Sequence, residues 1–242
     1  ELNEITLLWQ CGVGNRESAH LNNIYSWKDK NCTSKLLGVN GKKTGPILDK
    51  IIEINRGNKL ITNRIKNNDG DWKNKKKLEF YVDFETINDV CSDFKIDSDK
   101  VINNGINIIF MVGVGYELDN KWEFETFLAK DNTKVEERKM LDNFYNFISK
   151  TKNDILGKNK PFPNMYHWGH VERTLFESAK RRHLNNNWKN LKWFDMLNVF
   201  KKEPIVIKGC LNFGLKSVAK TMHKHKFIKT TWRNSIFSNG TN

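Results

Sequence analysis

Asp83 and Glu85 stand two residues apart in the stretch LEFYVDFETIND, residues 78–89. The stretch otherwise reads as a strand: Leu78, Phe80, Val82 and Phe84 alternate, and Tyr81 adds β-propensity. Strand side chains alternate with period two, so both carboxylates point to one face. Like charges a few ångströms apart in an apolar setting resist joint ionisation. A divalent cation offsets that cost, and hard oxygen ligands suit Mg²⁺ or Mn²⁺. The other reading is a solvent-facing charged stripe on an edge strand, a device that natural sheets use. The pattern by itself leaves both open.

The elements that must position the pair are legible. Residues 78–86 form the first strand, and INIIFMVGVGYE, 106–117, is a second, so apolar that burial on both faces is expected. KWEFETFLA, 121–129, is a third strand, paired to the second through a turn at 117–120. Residues 134–151 read as an amphipathic helix with Met140, Leu141, Phe144, Phe147 and Ile148 on one side. A short strand at 164–169, a helix at 171–184, a strand turning into a helix at 191–200 and a last helix at 212–224 complete the order. Two antiparallel strands beside the first, followed by α/β alternation, predict an α/β fold with a mixed sheet flanked by helices, the order of an RNase H-like fold. Gly113-Val114-Gly115 sits inside a strand pattern and makes no dinucleotide fingerprint.

Ahead of the sheet, residues 1–56 read as a small helical domain. An apolar run, then Gly12-Val13-Gly14, then a second helical segment describes a helix, a tight turn and a helix. Backbone N–H groups at the start of that second helix suit a phosphate. Gly12, Gly14, Asn15 and Arg16 are therefore candidates for nucleic-acid binding, and Lys42 and Lys43, before another amphipathic helix, join them. This arrangement resembles the helix-hairpin-helix module, and an ordinary helical hairpin is the alternative. Residues 57–77 are polar, basic and turn-rich and read as a linker, so the sheet domain is expected over 78–242.

Charge bears on the partner. The net charge is +13, spread as 15 basic against 8 acidic residues over 1–77, 7 against 15 over 78–149, and 19 against 5 over 150–242. An acidic segment between two basic ones points to a polyanion partner, and a solubility surface is the alternative. No run of 18 apolar residues exists, so no membrane span is expected. Cys11, Cys32, Cys91 and Cys210 are far apart and form no CxxC pair. They read as free thiols of an intracellular protein, not as a zinc ribbon or a disulfide framework. His167 and His170 lack a matching second pair for zinc and read as packing and hydrogen-bonding groups near the cleft. There is no P-loop and no nucleophile elbow.

Four motifs in order carry a family resemblance: DFET at 83–86, YHWGHVE at 166–172, DML at 195–197 and GLKSV at 214–218. Together they resemble the DEDD-type 3′–5′ exonucleases of the RNase H-like superfamily, and more narrowly the predicted RecB-family nucleases in which such a domain follows a helix-hairpin-helix segment. The resemblance implies a 3′–5′ exonuclease that hydrolyses DNA, more readily than RNA, with two Mg²⁺ or Mn²⁺ ions about 4 Å apart. It implies Asp83, Glu85 and Glu172 as catalytic metal ligands, Asp195 as a group behind them, and Thr86 and Lys216 beside the substrate strand. It also implies a RecB-like nuclease domain upstream. One departure stands out: no Asp or Glu follows Lys216, where the family carries a fourth carboxylate on a final helix. Residues 227–242 resemble the lead into that helix, which is expected beyond Asn242. Two other outcomes stay open: a degenerate nucleic-acid-binding module, and an RNase H-type endonuclease acting on RNA–DNA hybrids.

Overall fold

In the computed structural model, which describes residues 3–62, 65–88, 107–184 and 187–230, the alternating stretch forms strand β1, Phe80–Asn88. β2 (Asn107–Leu118) and β3 (Lys121–Leu128) follow as an antiparallel hairpin. Next come helix α3 (Lys134–Leu156), β4 (Asn164–His167), α4 (Val171–Arg182) and β5 (Lys192–Asp195). The sheet order is β3-β2-β1-β4-β5. β1 runs antiparallel to β2 and parallel to β4, and β4 is parallel to β5. This is the mixed α/β sheet that the element order predicts.

The period-two pattern of β1 sends Phe80, Val82 and Phe84 into the core, where they meet Met140, Leu141, Phe144 and Ile148 of α3 and Phe176 of α4. The rings interlock edge to face, with Phe84 and Phe144 6.0 Å apart and Phe144 and Phe176 6.2 Å apart. Burying each such side chain contributes roughly 1.5–3 kcal/mol. β2 departs from the expectation of two buried apolar faces. Val112 and Val114 enter the core, but the alternate positions are Gly113 and Gly115, over which the rings of Phe124 and Trp122 lie. A Cβ on Gly115 would meet the Trp122 ring at 2.1 Å. The glycines are there for close approach, not for backbone flexibility.

One buried ion cluster ties three elements together. Glu137, in the first turn of α3, is fully buried and accepts hydrogen bonds from the Ile109 N–H of β2 (2.9 Å), from Arg182 (2.6 and 2.9 Å) and from His183 Nε2 (2.7 Å). Burial alone would push its carboxyl up. The hydrogen bonds from His183, Arg182 and Ile109 outweigh burial and hold it below the ordinary range.

The chain divides into two compact units, Glu1–Asn67 with Leu197–Asn242, and Asn68–Met196. These boundaries differ from the expected 1–56, 57–77 and 78–242, because residues after β5 complete the first unit's core. Leu48, Ile51 and Ile54 of α2 (Thr44–Arg56) share that core with Ala19 of α1 (Val13–Leu21), and with Val206 and Phe213. Two further helices, α5 (Met196–Lys202) and α6 (Leu215–Lys224), follow β5. The expected linker is structured in part. Ile61 bridges Ile207, the Thr62 N–H donates to Val206 O, and Asp69–Asp71 forms a 3₁₀ turn. The helix expected before Gly12 is also only a 3₁₀ turn, Ile5–Leu7. Tertiary pairing overrides local propensity there: the Trp9 N–H bonds Leu211 O, and Gln10 takes a left-handed φ of 64°. Arg56 closes the unit by donating from Nη2 to the carbonyls of Trp27 and Cys32, both at 2.8 Å. Cys91 and the 231–242 stretch lie outside the described residues. Among the described residues, no helix is long and apolar enough to cross a membrane.

Two outcomes are expected. Glu137→Ala strands Arg182 and a buried N–H, and should cost about 3–5 kcal/mol in urea unfolding. Because its folded pKa is depressed, the stability Glu137 supplies is complete above the unfolded value of 4.5 and is lost as pH falls through the lower folded value. Glu137→Gln should flatten that acid limb. Cys11, Cys32 and Cys210 are free, and burial raises all three thiols, Cys11 to about 11 with Cys32 adding to the effect. Thiol reagents at pH 8 should therefore label these three slowly until denaturant is added.

Candidate active site

Three parallel strands open their carboxyl ends onto one edge of the sheet, the place where α/β sheets collect functional groups. β1 brings Asp83, Glu85 and Thr86 there, β4 brings His167, β5 ends on Asp195, and Glu172 sits in the first turn of α4. Asp83 and Glu85 are exposed, on the face opposite the core and in line with Tyr81. A β-bulge falls between Glu85 and Thr86: Glu85 pairs with Met111 and Thr86 with Ile109, leaving Phe110 as the extra residue. Bulges sharpen twist and re-aim neighbouring side chains, and this one does so at the end of the carboxylate pair.

Glu172 lies on the other side of the sheet. It is buried, and its Oε2 lies 3.2 Å from Nδ1 of the equally buried His167. His167 packs edge-on to Trp193, 5.5 Å between centroids. With Nδ1 turned to the Glu172 carboxylate, Nε2 is the remaining ring nitrogen. Asp195 Oδ1 accepts from the Gly169 N–H at 2.9 Å, which holds the β4–α4 turn where Gly169 adopts φ 105°. Asp195 is thus a positioning group for that turn.

Among the described residues, no three His, Cys, Asp or Glu side chains come together as a group that could hold a metal ion. Asp83 and Glu85 are together, and Glu172 is engaged with His167 instead. The donor set fits a cation in part. Two hard carboxylates on an open face match the habit of Mg²⁺, which keeps several waters and takes one or two carboxylates plus substrate phosphates.

The remaining candidates belong to the first unit, apart from half-buried Thr86. Gly12 caps α1, but its N–H is taken by Asn15 Oδ1 at 2.8 Å, and Asn15 Nδ2 donates to Leu37 O at 2.6 Å. Asn15 is therefore a capping residue, spent on the backbone. Arg16 is half-buried, and Gly14, Lys42, Lys43 and Lys216 are exposed.

Sequence reasoning missed an aromatic row on the open face of the sheet. Trp122 and Tyr81 lie 5.4 Å apart, Tyr81 and Tyr166 stack at 5.3 Å, and Tyr166 meets Phe194 at 5.1 Å. Glu79 accepts from both tyrosine hydroxyls at 3.2 Å, and burial followed by the Glu79 charge pushes the Tyr81 hydroxyl up, so it stays a donor. The available signal was the alternation of Trp122 and Phe124 beside the Gly113/Gly115 pair. Compared with known proteins, the chain matches no protein-family model and no curated protein.

Proposed function

We propose that the chain is a divalent-metal-dependent nuclease that trims DNA from a 3′ end. The observation that carries this reading is the exposed Asp83–Glu85 pair on the central strand, just past its pairing with β4 and beside a bulge. A central strand paired antiparallel to a hairpin on one side and parallel to a βαβ unit on the other supports an RNase H-like description of the sheet. A bound Mg²⁺ or Mn²⁺ would supply a water of lowered pKa and charge neutralisation at the phosphate. Asp83 and Glu85 would hold it with their oxygens. Phe124, lying over Gly113 next to Asp83 in register, gives a terminal base an apolar surface. Glu172 holds the His167 ring at the end of β4, on the other side of the sheet from Asp83 and Glu85. Exposed Gly14, Lys42 and Lys43 of the first unit offer phosphate contacts, in the manner of a helix-hairpin-helix segment.

A second reading has its own observation. Two carboxylates with no third beside them among the described residues suit a module that binds nucleic acid and does not cut it. Release of nucleotides from 3′- and 5′-labelled single- and double-stranded DNA with Mn²⁺ separates the two. The nuclease reading expects Asp83→Asn and Glu85→Gln each to lower the rate at least ~100-fold. It expects Glu172→Gln, on the other side of the sheet, to lower the rate less than either. Binding with no release by the parent chain would establish the second reading, and internal cuts in RNA–DNA hybrids would replace trimming with endonuclease action.

A further inference from the structure

The segment WKNKKK, 72–77, reads in sequence as the end of a linker, yet in the fold it walls a cavity of about 640 Å³. Lys75, Lys76 and Lys77 face Trp122, Tyr81 and the β2–β3 turn across it. A second cavity of about 770 Å³ shares Lys76 and Lys77 and adds Lys160, Lys192 and Phe162. Acidic groups are present too: Glu79, Glu117, Asp119 and Asp71. Glu79 is taken by the two tyrosines, Lys75 pairs with Glu117 at 2.5 Å, and Lys76 pairs with Asp71. These ion pairs are solvent-exposed, and such pairs are worth only about 0–1 kcal/mol, so a phosphate can replace the carboxylate.

Aromatic rings continue from the lysines along the open face. Trp122 is 58% exposed and Phe124 62% exposed, although each ring lies over a glycine of β2. Such rings are pre-set: the sheet holds one side, and the rest is in solvent. Tyr81 pairs with Gly115, and Asp83 with Gly113, so the two aromatics mark successive steps from the cavity toward the carboxylates. From Glu79 to Asp83 is four strand residues, ~13 Å. That distance spans about four stacked nucleotides at ~3.4 Å each.

We propose that this face is a track for one unpaired nucleic-acid strand, with phosphates on Lys75, Lys76 and Lys77, bases on Trp122 and Phe124, and its end directed at Asp83. A basic groove combined with aromatic platforms is the chemistry that holds single strands without regard to sequence. Only the destination of the track rests on the nuclease reading; binding itself does not need Asp83.

The test uses the full chain carrying Asp83→Asn, without divalent metal, and fluorescein-labelled dT12, U12 and a 12-bp duplex. Either single strand should bind more tightly than the duplex and quench tryptophan emission. K75A/K76A/K77A should weaken binding at least ~10-fold and flatten the salt slope by about 2, since each lost single-strand phosphate contact removes about 0.7. The triple arginine variant should restore both. Trp122→Ala should weaken binding about 5- to 150-fold, the range of one lost base stack. Gly115→Ala should act alike by displacing the ring, with circular dichroism confirming that both variants fold. The track is overturned if these variants bind as the parent does, or if duplex is preferred and Trp122→Ala has no effect. Binding that follows this pattern with no cleavage by the Asp83 chain leaves the track and removes the nuclease reading. Cleavage with binding indifferent to these variants does the reverse.

Discussion

β1 is hydrogen-bonded on both sides, antiparallel to β2 and parallel to β4, and that double pairing fixes what each of its faces can do. A strand so placed cannot slip its register by one residue without turning Phe80, Val82 and Phe84 out of the core. The aromatic core therefore locks Tyr81, Asp83 and Glu85 onto the open face as firmly as if they were packed themselves. Parallel pairing to β4 then brings the ends of three strands to one edge. Antiparallel pairing to β2 places two glycines beside Tyr81 and Asp83, which opens the space that Trp122 and Phe124 fill.

Most of the sheet unit was legible from period and turn signals. Every strand and helix expected between residues 78 and 224 has a counterpart, with ends displaced by a few residues, as at α3, which runs on to Leu156. What local patterns could not carry were the contacts made at long range. Val206 and Phe213 belong to the core of the N-terminal helices, and nothing in their neighbourhood says so. Residues 60–62, Leu-Ile-Thr, are a short apolar break in a polar, turn-rich stretch and are ordered by pairing with 206–208. Glu137 looks like an ordinary first-turn acid until Arg182 and His183, more than forty residues on, are brought to it.

The carboxylates divide in the same way. Asp83 and Glu85 share a face because strand geometry demands it, and the sequence pattern is enough to say so. Glu172 was placed with them by motif order, and motif order does not specify the face of the sheet on which a side chain ends. Its partner turned out to be His167, five residues earlier, a contact set by the tight β4–α4 turn that Asp195 holds through Gly169. Asn15 likewise has the type and place of a phosphate contact, but the helix it begins uses it first.

The split core of the first unit has a consequence for how the protein is made. Asn55 donates to the carbonyl of Cys210, a partner 155 positions later. A ribosome therefore synthesises the whole sheet unit before the residues that finish the first unit exist. Closing a loop of that length costs entropy that grows only with the logarithm of its length, and a folded insert shortens the effective loop further. The order of synthesis favours a sheet that folds as the insert while α1 and α2 wait, with Leu48 and Ile51 exposed until Phe213 arrives. During that interval α1 and α2, not the sheet, are the part of this stretch that needs shielding from aggregation.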